Sequence, residues 1–159
     1  MKTTIRNEES SNRHLRGIDI LNEDCLLSIF KCLGTIDKMN LASVCKRWNV
    51  ISSNCWKNVN HIYIDDQTVE INKFEKISFT TEQNVKLFLA SLMRKCGKYV
   101  KILINECYRS YIYDVILEYC TNLEFISCYQ LDDETNFELK NMNSLMEIRF
   151  DHTEYKWSL

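Results

Sequence analysis

The residues best able to do chemistry in this 159-residue chain are eight cysteines and three histidines. A cysteine can act as a nucleophile beside a histidine, and the two residue types together are common ligands of zinc. Neither arrangement is indicated, because no Cys-x-x-Cys pair occurs and His14, His61 and His152 are isolated from one another. We therefore predict no catalytic residue, no metal site and no cofactor. A cysteine-dependent hydrolase is the remote alternative, since folding can bring a cysteine and a histidine together from distant positions.

Most of the cysteines fall on or beside apolar stripes of the sequence, where a reduced thiol behaves as a small hydrophobic side chain. These are Cys25, Cys32, Cys45, Cys96, Cys120 and Cys128. Disulfide bonds persist in oxidising compartments and are rare in the cytosol and the nucleus. We therefore expect free thiols and a cytoplasmic or nuclear location.

The charge pattern gives no reason to expect a nucleic-acid partner. Lysine and arginine are scattered without a run and the formal net charge is -2, whereas nucleic-acid binding calls for a basic face. No apolar stretch is long enough to span a membrane, and the polar N-terminal segment is not a signal peptide. We expect residues 1–17 to form a disordered leader and the protein to have no membrane partner.

Two short amphipathic helices are predicted between Leu21 and Trp56. Asn22 is a good N-cap, and Glu23 and Asp24 place negative charge in the first turn, where the helix dipole favours it. Apolar residues then follow at helical spacing: they are Leu26, Ile29, Phe30 and Leu33. Gly34 would end this helix as a C′ glycine.

A second helix is predicted from a new N-cap at Asp37. Its apolar stripe is formed by Leu41, Val44, Cys45 and Trp48. Helices this short cannot bury much surface alone, so the pair needs a third element or a partner. On periodicity alone, the simplest interpretation is a helical hairpin inside an ordinary domain.

The order of these residues resembles the F-box, the adaptor-binding module of cullin-RING ubiquitin ligases. The matching positions are Leu21, Leu26, Ile29, Phe30, Leu33, Asp37, Leu41, Val44, Cys45, Arg47, Trp48 and Trp56. Two positions depart from the family pattern: Asn22 replaces its proline, and Lys38 stands where its Asp-Leu-Leu step would have the first leucine. Asn22 can still start a helix, so the resemblance implies a small helical F-box over residues 18–59.

The resemblance implies partners and not catalysis. A Skp-family adaptor would bind the F-box and, through it, the cullin-RING core would join. The implied adaptor-binding residues are Leu21, Asn22, Leu26, Ile29, Phe30, Leu33, Leu41, Val44 and Trp48. One apolar stripe would then serve both the packing of the two helices and the binding of the adaptor.

Residues 60–159, together with a first copy that begins at Trp56, show a recurring apolar spacing of the form L-x-x-L-x-L. The segments that align are 56–64, 71–79, 96–107, 120–128 and 142–150. The spacing resembles the strand signature of leucine-rich repeats, and the last three copies recur at roughly the 20–29-residue period of that family. The resemblance implies an α/β solenoid of about three to four units, with parallel strands on one side and helices on the other. The array is either short or truncated.

Helices are predicted between these strands. Thr80-x-x-Gln83 is a capping box that opens the first of them. Its apolar face is Val85, Phe88, Leu89, Leu92 and Cys96, and a shorter helix carries Ile112, Val115, Ile116 and Tyr119. A brief polar helix is expected over residues 135–141. The copies within residues 60–79 are too close for a full repeat, so a strand-loop-strand connection is expected around residues 65–67.

The alternation of side chains along each strand predicts two faces of the sheet. The inward residues are Ile102, Ile104, Ile126, Ile148 and Phe150. The concave surface would carry Lys101, Leu103, Asn105, Glu124, Phe125, Ser127, Glu147 and Arg149. From that set we predict substrate contacts at Leu103, Asn105, Phe125 and Arg149, with Phe125 as the aromatic anchor.

Together these patterns predict an F-box leucine-rich-repeat protein that is not itself an enzyme. Its F-box would recruit the adaptor, and its repeats would present an unknown protein substrate for ubiquitination. The alternative is a repeat-based scaffold that has no ligase role, with an F-box made degenerate by Asn22 and Lys38.

Overall fold

The computed structural model describes residues 17–107, 109–129, 131, 133–140 and 142–150. The predicted leader, apart from Gly17, lies outside these ranges, as do His14 and His152. The N-terminal part is helical. Its elements are a 3-10 turn at Gly17–Ile20, α1 at Glu23–Lys31, α2 at Thr35–Val44, α3 at Lys46–Ser52 and a second 3-10 turn at Ser53–Trp56.

A six-stranded sheet with helices follows the helical part. Its elements are β1 (His61–Ile64), β2 (Thr68–Ile71), β3 (Glu75–Ser78), α4 (Glu82–Cys96), a 3-10 turn (Gly97–Tyr99), β4 (Ile102–Asn105), α5 (Ser110–Tyr119), β5 (Phe125–Cys128), α6 (Asp133–Lys140) and β6 (Glu147–Phe150). The strand order is β3-β2-β1-β4-β5-β6. β1, β4, β5 and β6 are neighbours in this order and pair in parallel. β2 pairs with β1 in the antiparallel direction, and β3 pairs with β2 in the same way. The chain is thus a mixed α/β protein with an N-terminal helical unit and a C-terminal sheet.

In the described part of the chain, we find no helix with the length and apolar character needed to cross a membrane.

The first two helices begin and end differently from the sequence prediction. Asn22 caps α1 as predicted, because its Oδ1 accepts a hydrogen bond from the Cys25 backbone N–H at 2.8 Å. Gly34 is not a left-handed C′ glycine, since its φ is -68°. It is instead the N-cap of α2, which begins at Thr35 and not after a cap at Asp37.

The second predicted helix is broken at Cys45. This residue is extended, with φ -162° and ψ 168°, and its sulfur accepts a hydrogen bond from the Trp48 N–H at 3.5 Å. Cys45 therefore ends α2 and caps α3, so a third helix is present where two were predicted. That helix supplies the additional element that two short helices need, because its Ile51 is 3% exposed and lies in their core.

A small apolar core holds the helical unit together. It is formed by Leu26, Phe30, Leu41, Ile51 and Cys55. Trp48 packs beside this core, with its ring centroid 4.9 Å from that of Phe30. The Arg47 guanidinium donates a hydrogen bond to the Leu21 carbonyl, which ties the chain before α1 to α3.

Helices α4 and α5 cover one face of the sheet. The buried side chains that meet there include Ile62, Ile64, Leu103 and Ile126 from the strands and Val85, Leu89, Leu92, Ile112 and Ile116 from the helices. The apolar faces predicted for both helices are confirmed. The cap of α4 is shifted by one residue, since Thr81 and not Thr80 accepts the Asn84 N–H, at 3.3 Å.

The register of β4 differs from the prediction by one residue. In β5, Ile126 is buried as predicted, but its partner on β4 is Leu103 and not Ile102. Leu103 is 0% exposed, whereas Ile102 is 39% exposed. The prediction was therefore wrong for this strand: Ile102 and Ile104 lie on the open face of the sheet, while Leu103 and Asn105 face the helices.

A one-residue insertion explains this shift. Cys96 precedes Val100, the buried residue before β4, by four positions, whereas Cys120 precedes Leu123, its counterpart before β5, by three. The insertion brings Gly97 so close to the end of α5 that a Cβ there would lie 2.7 Å from the α5 backbone. Because successive side chains point to opposite faces of a sheet, one extra residue exchanges the two sets.

Strands β2 and β3 form a hairpin and not a further repeat. The expected strand-loop-strand connection is confirmed at Asp65, whose Oδ1 accepts two backbone N–H groups of its own loop at 2.9 and 2.7 Å. The segment 71–79 was aligned with the repeats, but it turns at Asn72 and Lys73, which have φ values of 54° and 65°. Phe74, an apolar position of that alignment, is 93% exposed.

The helical unit and the sheet share a core at Trp56. This side chain ends the second 3-10 turn, is 2% exposed and lies in the core of the sheet with Val59 and Ile71. Met39 of α2 packs against the same core. The two parts are therefore joined by buried apolar contact and not only by the chain between Trp56 and β1.

Glu75 of β3 caps α2 from the sheet. Its carboxylate accepts hydrogen bonds from the Thr35 N–H at 2.6 Å and from the Thr35 hydroxyl at 2.7 Å. Gly34, the N-cap residue, has no side chain that could do this, so the acceptor comes from a residue remote in sequence. A negative charge at a helix N-terminus also interacts favourably with the helix dipole.

The corrected register is tested by two neighbouring substitutions. Leu103→Asp should lower the free energy of unfolding by about 4 kcal/mol or more, because it buries a carboxylate without a partner. Ile102→Asp should cost no more than about 1 kcal/mol, since its side chain points to the open face. Urea denaturation followed by circular dichroism measures both values. A larger loss for Ile102→Asp would restore the register read from the sequence.

The cap at the junction is tested by Glu75→Ala. We expect the free energy of unfolding to fall by about 1–3 kcal/mol, because two hydrogen bonds to a carboxylate are lost and the Thr35 N–H keeps no protein acceptor. Lys76→Ala, on the exposed side of the same strand, is the matched control and should change stability by less than about 0.5 kcal/mol. Equal losses in the two variants would show that Glu75 contributes no cap.

Candidate functional site

The nine predicted adaptor-binding residues separate into three groups by exposure. The first group is buried, at 0%, 1% and 6% exposure: Leu26, Phe30 and Leu41. The second group is partly buried against the first: Leu21, Leu33 and Trp48. The third group is exposed: Asn22, Ile29 and Val44. The prediction of a contact is wrong for the three buried residues, because the core of the helical unit already encloses them. The buried members of each stripe serve packing, whereas Ile29 and Val44 of the same stripes are exposed and their role in adaptor binding stays a prediction.

Exposed apolar side chains give the helical unit a candidate binding surface. Eleven large apolar side chains are exposed among the described residues, and six of them lie between residues 18 and 50. These six are Ile18, Ile20, Ile29, Ile36, Val44 and Val50. All but Ile29 and Val44 were missed from the sequence, although each is an apolar residue outside the buried stripes. Where such side chains form a contiguous patch, that patch marks a site of interaction with another protein.

The open face of the sheet carries a second candidate surface. Its apolar residues are Tyr63, Ile102, Ile104 and Phe125. They lie opposite one another on neighbouring strands, Tyr63 beside Ile104 and Ile102 beside Phe125. The predicted substrate contacts Leu103 and Asn105 are 0% and 1% exposed, so they are wrong, and Ser127 of the predicted concave set is 4% exposed.

Charged groups lie around this open face. The Arg149 guanidinium stands 5.1 Å from the ring centroid of Phe125 and is 2.9 Å from the carboxylate of Glu147. Lys101 and Glu124 form a second ion pair at 2.7 Å. Phe125 and Arg149, two of the predicted substrate contacts, therefore lie together on this face, and their role in binding stays a prediction.

A hydrogen bond fixes the tyrosine of the open face. The Tyr63 hydroxyl donates to Glu106 Oε2 at 2.6 Å. The hydrogen bond to Glu106, together with partial burial, raises the pKa of Tyr63 above its usual range. Tyr63 therefore remains a neutral hydrogen-bond donor, and it contributes an ordered aromatic ring to the surface.

The cysteines are all free thiols, but they do not all lie in apolar cores. Cys25, Cys32 and Cys45 are exposed, so these three lie beside the packed stripes and do not act as buried hydrophobic side chains. The other five are buried: Cys55, Cys96, Cys107, Cys120 and Cys128.

Burial makes the inner thiols hard to ionise. Desolvation raises the pKa of Cys107 and Cys120 to about 12 and that of Cys128 to about 11. Since the thiolate is the nucleophile, such groups are poor candidates for covalent catalysis. Across the described ranges, no three or more histidine, cysteine, aspartate or glutamate side chains are grouped so that they could hold a metal ion.

Comparison with known proteins addresses the helical unit. A protein-family model described as the F-box domain matches residues 18–60. No curated protein matches the chain. No family match extends over the leucine-rich repeats predicted for the sheet region. The three helices and their exposed apolar side chains thus coincide with the matched segment, and residues 18–60 are an F-box domain.

Proposed function

We propose that this chain is the substrate-recognition subunit of an SCF-type ubiquitin ligase. An F-box domain indicates an adaptor-binding role in such complexes, and domains of this family typically bind Skp-family adaptors. The observation that carries the proposal is the exposure of six large apolar side chains on this domain. The adaptor would bury them, and it would connect the chain to a cullin-RING core.

The adaptor interface is proposed to use side chains that the F-box core leaves exposed. Ile29 follows the buried Leu26 on α1 and is itself 41% exposed, while Val44 at the end of α2 is 58% exposed. Asn22 stands where the family pattern has a proline, yet its side chain caps α1. The local fold of α1 therefore does not depend on that proline.

The sheet region is proposed to be a short leucine-rich-repeat solenoid. Its support is a recurring unit, in which β1, β4, β5 and β6 are parallel and α5 and α6 each connect one of these strands to the next. With the corrected register, the recurring spacing is Val59-x-x-Ile62-x-Ile64, Val100-x-x-Leu103-x-Asn105, Leu123-x-x-Ile126-x-Cys128 and Leu145-x-x-Ile148-x-Phe150. Each unit has an apolar face that its neighbour covers.

The open face of this sheet is the proposed substrate-binding surface. Tyr63, Ile102, Ile104 and Phe125 offer apolar contact area, and Arg149 beside Phe125 offers a charged group. An aromatic ring and an arginine are residue types that often dominate the free energy of protein–protein binding. A protein substrate fits this surface better than a small molecule, because the face is an open sheet and not an enclosed cavity.

The proposed role needs no catalytic residue in this chain. Its contribution to the rate would be proximity, because it would hold a lysine of the target near a charged ubiquitin-conjugating enzyme. A cytoplasmic or nuclear location is proposed on the basis of eight free thiols, which reducing compartments preserve.

The alternative function is an interaction scaffold whose F-box has lost its adaptor. Lys38 favours it, because a charged residue stands in the first part of α2 where the family pattern has a leucine. Co-purification of a Skp-family adaptor and a cullin with the chain separates the two proposals. A scaffold would retain its protein partner but bring neither ligase subunit.

The adaptor surface is tested by Val44→Asp and Ile29→Asp. Each should weaken binding of a Skp-family adaptor by about tenfold or more, because a charge would enter an apolar interface. Leu87→Asp, at a side chain of α4 that is 58% exposed, is the matched control and should bind normally. Binding is measured by calorimetry with purified adaptor, and circular dichroism shows whether each variant is folded. Normal binding by both F-box variants would contradict the proposed interface.

The substrate surface is tested by Phe125→Asp in cells treated with a proteasome inhibitor. Proteins captured by the wild-type chain and by Val44→Asp, but lost with Phe125→Asp, are the expected substrates, and only the wild-type chain should promote their ubiquitination. Phe74→Asp is the matched control, because that ring is exposed on the β2–β3 hairpin. An unchanged set of captured proteins with Phe125→Asp would remove the open face from the proposal.

A further inference from the structure

Strand β6 leaves an edge of the sheet open. It is the last strand in the order, and within the described residues no strand pairs with its outer side. Side chains around this edge are accessible, with Met146 79% and Phe150 43% exposed. Exposed strand edges are templates for pairing with another strand, so the question is which strand this edge fits.

The backbone of β6 has its free hydrogen-bonding groups at Ile148. The Glu147 N–H donates to the Glu124 carbonyl at 3.2 Å, and the Arg149 carbonyl lies 3.7 Å from the Cys128 sulfur, so both point toward β5. Successive residues of a strand direct their N–H and C=O groups to opposite sides. The N–H and C=O of Ile148 therefore point outward, where an added strand would meet them.

The side chains of β6 are complementary to those of a second β6 that runs in the opposite direction. If two copies pair about a two-fold axis at Ile148, Glu147 of each copy lies opposite Arg149 of the other. Met146 then lies opposite Phe150, on the same side of the sheet as Ile148. Charge meets opposite charge on the open face, and apolar residues meet on the helix face.

We propose that β6 is a homodimerisation edge, at which two copies of this chain join antiparallel about Ile148. A two-fold interface requires one surface to be complementary to itself, and the sequence Met146-Glu147-Ile148-Arg149-Phe150 meets that requirement through its charges and its apolar residues together. The two sheets would become one continuous sheet across the two-fold axis.

Little is lost when the charged pair changes partners. Arg149 and Glu147 now pair within one chain at 2.9 Å, with side chains 59% and 54% exposed. Such exposed ion pairs contribute little to stability, because water screens them. Two pairs within the chains, one in each copy, are exchanged for two pairs between the copies, and the fold of each chain stays intact. The interface uses no F-box residue, so it stands independently of the proposed adaptor binding, but it shares Arg149 with the proposed substrate surface.

The proposal is tested by sedimentation of the purified full chain over a range of concentrations. The wild-type chain should show a monomer–dimer equilibrium. Glu147→Arg or Arg149→Glu should each weaken it by about tenfold or more, because the two-fold axis turns each single reversal into two like-charge contacts. The double variant Glu147→Arg with Arg149→Glu should restore the dimer, since the pairs are again of opposite sign.

Mixing the two single variants gives the sharpest result. Glu147→Arg chains carry two arginines and Arg149→Glu chains carry two glutamates, so each should be monomeric alone and pair on mixing. Lys101→Glu, a charge reversal away from β6, is the matched control and should dimerise normally. A wild-type chain that remains monomeric, a dimer insensitive to both reversals, or single variants that fail to pair on mixing would each overturn the proposal.

Discussion

The contact between the Glu75 carboxylate and the first turn of α2 is the interaction on which the arrangement of this molecule depends. The N-cap of α2 is a glycine, so the helix has no side-chain cap of its own. The acceptor it needs comes from the edge of the sheet, while Trp56 fills the core of the sheet from the helical side. One polar and one apolar contact thus fix the F-box against the sheet. Only four residues separate Trp56, at the end of the helical part, from the start of β1. A protein bound to the sheet would then lie at a defined position relative to a protein bound to the F-box.

The F-box also shows how a small domain divides its apolar residues between stability and recognition. Several apolar residues at helical spacing are buried in the core of the domain, as Leu26 and Phe30 show. Other apolar residues of the domain, such as Ile36 and Val50, stay exposed to water. Keeping such side chains in water is unfavourable. Binding of the proposed adaptor over them would remove that cost.

The sequence predicted the elements of this fold better than their boundaries, and the failures have identifiable causes. Periodicity located α4 and α5, because many residues contribute to each apolar face. It missed the break at Cys45, since a single extended residue leaves the spacing of apolar residues almost unchanged. It also misassigned β4, where the insertion at Gly97 shifts the strand. The buried position at Asn105 is polar, so the alternative register with Ile102 and Ile104 inward looked more apolar than the true one. The same error in register caused the wrong assignment of Leu103 and Asn105 as exposed substrate contacts.

The two edges of the sheet are not equivalent, and the difference limits how large an assembly can grow. At β3, Glu75 is committed to α2 and Lys76 places a charge on the exposed side, a combination that discourages a further strand. β6 also carries exposed charges, but Glu147 and Arg149 are of opposite sign, so a second β6 that runs antiparallel would place opposite charges beside each other. A molecule with two open edges could add copies indefinitely and form fibres, but a molecule with one can add a single strand and then has no edge left. The hairpin that interrupts the parallel order would therefore end growth at β3, and an assembly joined through the proposed β6 edge would be finite.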